Sequence, residues 1–237
     1  SGMRTGPNSE LYVAQKQEAE VLALTADRDL AVRNRIPTGE KPHDMYVLES
    51  DGLLVVNNSH ESFATFADLN AKTVRSEAET GQNPHGFAVA DGPDYRYGLF
   101  PARDDERVAV VDIDAAAAGA ENPTEALVDL GTTTGFADTT PDGRYAVVDS
   151  YDDPFVTVLD LTDLTVAGRV DVGGEPLHVV FATDGEECYV GNMERSELAV
   201  LDTSPLAADR PEAVTVARRI TGLGEKPSGI FRPEGQS

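Results

Sequence analysis

The chain has 237 residues, 42 acidic against 19 basic, giving a formal charge of −23, with 40% apolar residues, 6% aromatic ones and no Trp. It is long and apolar enough to bury a core, and so negative a surface repels nucleic-acid phosphates and anionic lipid headgroups, which argues against both as partners. No apolar run reaches the ~20 residues of a membrane-spanning helix, and the lone Cys188 leaves no internal disulfide or Cys-rich zinc site.

Ser1-Gly2 before Met3 reads as a tag remnant, and no signal-peptide pattern follows. The expected location is therefore the cytoplasm, with export and removal of a leader as the alternative. Only four of the nineteen cations are Lys. Abundant Asp and Glu with little Lys suits a protein adapted to molar salt, where ions screen the self-repulsion. An acidic surface from a GC-rich genome is the other explanation.

In chain order, Glu10-Leu-Tyr-Val-Ala14, Ala19–Leu24 and Leu30–Ile36 read as three strands, followed by a turn, Gly39-Glu-Lys-Pro42. That Gly-x-x-Pro turn recurs at Gly81, Gly173 and Gly224, with a degenerate copy lacking Pro at Gly131-Thr-Thr-Thr134. The starts are spaced by 42, 50, 42 and 51 residues, near the ~40–45 of a four-stranded propeller blade. After each turn comes a short apolar strand such as Met45–Leu48, Phe87–Ala90 or Val179–Ala182. Next is a hairpin turn carrying Asp-Gly at 51, 91, 142 or 184, where Gly supplies positive φ. A second strand follows (Leu53–Asn57, Tyr145–Asp149, Cys188–Asn192). The third ends in Asp (Asp112, Asp160, Asp202), a turn former, and the fourth is edge-like, as in Thr165–Val172. Ala115–Ala120 predicts one helical turn within a loop.

Tyr189-Val-Gly-Asn192, Val200-Leu-Asp202, Val172-Gly-x-x-Pro176 and Pro141-Asp-Gly143 resemble the signature of YVTN-type β-propeller repeat proteins, over roughly residues 36–237. The resemblance implies an all-β propeller. It implies no particular chemistry, because that family has none in common. The expected fold is a five-bladed β-propeller of four-stranded antiparallel blades. Its blades fall at about 37–80, 81–130, 131–172 and 173–222, with a split blade of 223–237 plus 10–36. The ring would close by pairing of the N-terminal strands with the C-terminal strand at 226–233, which removes exposed edges. The expected state is a monomer.

In a propeller the turn entering each inner strand rims the central channel. The two positions after Gly-x-x-Pro hold His43 and Asp44, His85 and Gly86, Leu177 and His178, and Ser228 and Gly229; the third copy offers Gly135 or Phe136. Three of the chain's four His thus fall in one window beside a carboxylate. His43, Asp44, His85 and His178 are a candidate site for zinc or another divalent metal. His178 lies one residue out of phase with the other two imidazoles, and successive strand residues point oppositely. The alternative is that rim histidines hydrogen-bond to neighbouring blades or water. His60, Asn58, Asn192 and Asp149 follow second strands and read as turn caps, and Cys188 reads as a small buried hydrophobe. No nucleophile elbow, phosphate loop or dinucleotide fingerprint occurs. The leading expectation is a non-enzymatic binding or scaffold propeller with a metal ion or small ligand at the channel mouth. The alternatives are a metal-dependent, lactonase-like hydrolase and a metal carrier that uses the same cluster.

Overall fold

The computed structural model describes residues 2–25, 27, 29–226 and 230. They form five four-stranded antiparallel sheets, each built from strands consecutive in the chain. Blade 1 holds β1 (Met3–Gly6), β2 (Glu10–Gln15), β3 (Glu20–Thr25) and β4 (Val32–Pro37). Blade 2 holds β5 (Pro42–Leu48), β6 (Leu53–Asn58), β7 (Phe63–Asp68) and β8 (Val74–Glu79). In blade 3 are β9 (Ala88–Asp91), β10 (Arg96–Ala102), β11 (Arg107–Asp112) and β12 (Thr124–Asp129). Blade 4 follows with β13 (Ala137–Thr139), β14 (Tyr145–Val148), β15 (Phe155–Asp160) and β16 (Thr165–Asp171). Blade 5 ends the series with β17 (Pro176–Phe181), β18 (Glu187–Asn192), β19 (Glu197–Asp202) and β20 (Thr215–Ile220). The architecture is a five-bladed β-propeller, as the repeat predicts.

The runs of apolar residues in the second and third strands follow from packing on both faces of a blade. In β6, Leu53 and Val55 pack with blade 3, while Leu54 and Val56 pack with blade 1. Every residue from Val108 to Val111 and from Val156 to Leu159 is buried for the same reason. Four apolar cores result, between blades 1 and 2, 2 and 3, 3 and 4, and 4 and 5. Among the described residues no fifth core joins blade 5 to blade 1. Fourth strands are largely exposed, as in Val32–Arg35. The Asp ending the third strand of blades 2 to 5 turns the chain: Asp68, Asp160 and Asp202 accept the main-chain N–H two residues on. Asp112 caps the short helix α1 (Ile113–Ala118), which ends at Gly119 with φ 85°.

The inner edge of blade 1 differs from the sequence expectation. It is β1, paired with β2 from Met3 opposite Val13 to Gly6 opposite Glu10, that lies beside the second strand, where the C-terminal segment 226–233 was expected. The physical reason is loop closure. A hairpin closed across three residues costs far less chain entropy than pairing with a segment over 200 residues away. Residues 227–229 and 231–233 of the expected partner lie outside the described residues.

Candidate functional site at the channel mouth

Local backbone irregularities aim the histidines. In β5 the pairing with β6 shifts register between Pro42 and Met45, so His43 and Asp44 form a bulge. In β17 the shift falls between Leu177 and Val179, and His178 takes the left-handed conformation at φ 59°. A bulge re-aims a side chain at a strand end, which resolves the phase mismatch of His178. His85 precedes β9 and is held from two sides. Its N–H donates to the Pro101 carbonyl at 3.0 Å, and its own carbonyl accepts from Asn57 Nδ2 at 2.8 Å.

The three imidazoles meet at one end of a cavity of about 1300 Å³, whose lining also includes Arg4, Tyr46, Phe87, Phe136 and Asp138. His43 and His85 stack with ring centroids 5.4 Å apart and planes 28° from parallel. Phe136 stands edge-on to His85 at 5.1 Å and stacks on His178 at 3.7 Å. The four rings form one continuous row drawn from four blade entries. His43 Nδ1 lies 3.1 Å from Asp44 Oδ2, so the carboxylate orients the ring and leaves Nε2 free of that contact. His178 Nδ1 is shut off from solvent without a hydrogen-bond partner among the described residues. Because the rings stack, they present faces to one another. Among the described residues no group of three or more His, Cys, Asp or Glu is placed to hold a metal ion.

Burial sets the charge state. It pushes His85 down to about 4, helped by Arg103 and, where they are protonated in acid, by His43 and His178. His43 is lowered by burial and by Lys16 and the N-terminus, and His178 by burial alone. All three imidazoles are neutral at pH 7, each able to donate at one nitrogen and accept at the other.

The residue that organises this end is Asp149, which the sequence marks only as a turn cap. Its side chain is fully buried, and burial raises its pKa to about 6 against the hydrogen bonds that lower it. One carboxylate oxygen accepts the N–H groups of Gly135 at 2.8 Å and Phe136 at 2.9 Å. The other accepts the N–H of His178 at 3.1 Å. Asp149 thus ties the rim of blade 4 to the rim of blade 5, as Asn57 ties blade 2 to blade 3. Gly86 lets two blades come close. A Cβ there would lie 2.5 Å from the Gly135 carbonyl, so the bare backbone lets blade 4 approach blade 3. Gly229 lies outside the described residues. His60 is exposed, 3.1 Å from Lys41 Nζ, and does not line the cavity. Cys188 is fully buried in the core between blades 4 and 5, with its thiol pKa pushed up by burial.

No known family model matches the chain, and no curated protein matches it in sequence. Solved structures do match it in shape. The chain is similar to the dihydro-heme d1 dehydrogenase NirN in complex with DHE, at 18% identity and a TM-score of 0.76, over 96% of this chain and 47% of that one. A protein from Lactobacillus plantarum matches at 18% identity and TM-score 0.71, covering 96% and 72%. A functionally unknown protein from Desulfotomaculum acetoxidans DSM 771 matches at 15% identity and TM-score 0.72, covering 92% and 68%. The chain spans about half the length of NirN. Likeness at these identities establishes the propeller fold alone.

Proposed function

We propose that this chain is a non-enzymatic binding propeller whose channel mouth takes a small organic ligand with a planar, hydrogen-bonding part. The observation that carries the reading is the row of His43, His85, Phe136 and His178, neutral rings lining one end of a cavity large enough for a small molecule. The ring edges that line the cavity offer apolar contact, and uncharged imidazoles offer donors and acceptors without the desolvation cost of an ion. The test is a thermal-shift screen of aromatic and heterocyclic compounds, repeated on His85→Ala and Phe136→Ala. Hits should stabilise the parent chain and lose at least tenfold in affinity in both variants. Hits that bind the variants equally well would refute the site.

A second reading has its own support. Asp44 receives the Nδ1 side of His43, the arrangement that in metal sites fixes a ring so that Nε2 is presented to the ion. Neutral imidazoles are also the form that binds zinc or another divalent ion. In this reading Asp44 orients rather than ligates, and the site serves a carrier or a hydrolase. Calorimetric titration with zinc at pH 7.5 separates the two readings. Tight binding lost in His43→Ala and His85→Ala favours the metal, and no heat change leaves the organic ligand.

A further inference from the structure

The face of blade 5 turned away from blade 4, which carries the side chain of Ile230 beside Gly191, repeats, position for position, the face by which blade 1 holds blade 2. Glu10 pairs opposite Thr25, Tyr12 opposite Ala23 and Val21 opposite Ile36. In blade 5 the matching pairs are Glu187 with Asp202, Tyr189 with Val200 and Leu198 with Ile220. In both blades the Tyr hydroxyl donates to the Glu two residues before it, at 2.7 Å in blade 1 and 2.9 Å in blade 5.

The two faces differ in what covers them. In blade 1, Tyr12, Val21, Ala23 and Ile36 are buried beneath Met45, Leu54, Val56 and Ala67 of blade 2. Lys72 of blade 2 closes that contact, reaching Glu10 at 2.5 Å and the Tyr12 hydroxyl at 2.6 Å. In blade 5, Val200 is buried, but Tyr189, Leu198 and Ile220 remain half-exposed, and Glu187 is held by Arg218 of its own blade. At the opposite end, Leu11, Val13, Leu22 and Leu24 on the outer face of blade 1 are half-exposed too. Their counterparts in blade 2 include Leu54, Val56 and Ala67, all fully buried.

We propose that the outer face of blade 5 is a docking surface for a further four-stranded sheet of this repeat type. That sheet would carry an apolar face like the one blade 2 turns to blade 1, with a Lys or Arg placed as Lys72 is. Continuity selects this occupant, since four successive interfaces in the chain are built this way. The repeat's entry turn also recurs, as Gly224-Glu-Lys-Pro227, although all five sheets already have four strands.

The sequence Gly-Glu-Lys-Pro at 39–42 is identical to that at 224–227, which supplies a splice point. The full chain is compared with a chain in which residues 43–130 follow Pro227, so that a second copy of blade 2 meets blade 5. Leu198→Arg is made in both, and melting, mass by light scattering and binding of a hydrophobic dye are recorded. The full chain should be monomeric and bind dye, and Leu198→Arg should move its melting point by less than ~2 °C. The extended chain should melt higher and bind less dye, and there Leu198→Arg should lower the melting point by roughly 5 °C or more, the scale for a core substitution at this size. Three results overturn the proposal. One is an unchanged melting point on extension. Another is a large effect of Leu198→Arg in the full chain, which means its own residues already cover the face. The third is a doubled mass abolished by Leu198→Arg, which makes a second copy the occupant.

Discussion

Asp149→Ala should be among the most destabilising single substitutions at the channel mouth. It leaves three main-chain N–H groups, those of Gly135, Phe136 and His178, without their acceptor. Each buried unmet donor costs about 1–3 kcal/mol. Relief of the buried carboxylate offsets part of this. Its pKa of about 6 against 3.8 represents roughly 3 kcal/mol of burial penalty at pH 7. The net loss is therefore about 3 kcal/mol. Asp149→Asn should cost less, about 1–2 kcal/mol, because one oxygen still serves Gly135 and Phe136 while the amide N–H opposes that of His178. The sign with pH follows from the raised pKa. The folded state binds the proton more tightly than the unfolded one, so this group's contribution is greatest below about pH 3.8 and declines as pH rises to about 6. The assay is urea unfolding of the three proteins at pH 7, with histidine NMR on each. A loss within 0.5 kcal/mol for Asp149→Ala, with the His178 resonances unmoved, would refute the clamp.

His85 works in the other direction. Its pKa is depressed to about 4 from 6.5, so the stability tied to its neutral form is complete above about pH 6.5 and lost as pH falls towards 4. The amount is about 2 kcal/mol after allowance for partial exposure. His85→Gln should flatten that part of the pH–stability profile, and an unchanged slope between pH 6.5 and 4 would count against it. Gly86→Ala forces a Cβ to 2.5 Å from the Gly135 carbonyl and should cost about 2–3 kcal/mol by overpacking; calorimetric melting reads it, and a neutral result would mean the blades part easily. At −23, raising salt shortens the screening length from ~10 Å at 0.1 M to ~3 Å at 1 M. The melting point should rise over that range, and a flat response in two different salts would remove the case for adaptation to high salt.

The blades were legible in the sequence because a strand packed on both faces needs consecutive apolar residues, and Gly-x-x-Pro and Asp-Gly mark where such strands begin and turn. The histidine window was legible for the same reason, since the turn's register fixes which residues face the channel. Other features leave no such trace. Met3-Arg-Thr-Gly6 has neither apolar alternation nor β-branched density to announce β1. It is a strand because β2 offers it an edge. A register shift such as that at Leu177 and Val179 has no compositional mark, so the aim of His178 appears only in the backbone. Phe136 was ambiguous with Gly135 because the third turn lost its Pro. Asp149 looks like every other polar residue that ends a second strand until burial and its three donors set it apart.

The central claim is that His43, His85 and His178 form one neutral cluster at the channel mouth. Titration of the imidazole resonances by NMR tests it most directly, with assignments from His→Gln variants. The account predicts that all three titrate below 6.5, with His85 lowest at about 4, and that His43→Gln raises the midpoint of His85 by removing a neighbouring positive charge. Three independent titrations near 6.5, unaffected by one another's replacement, would contradict it.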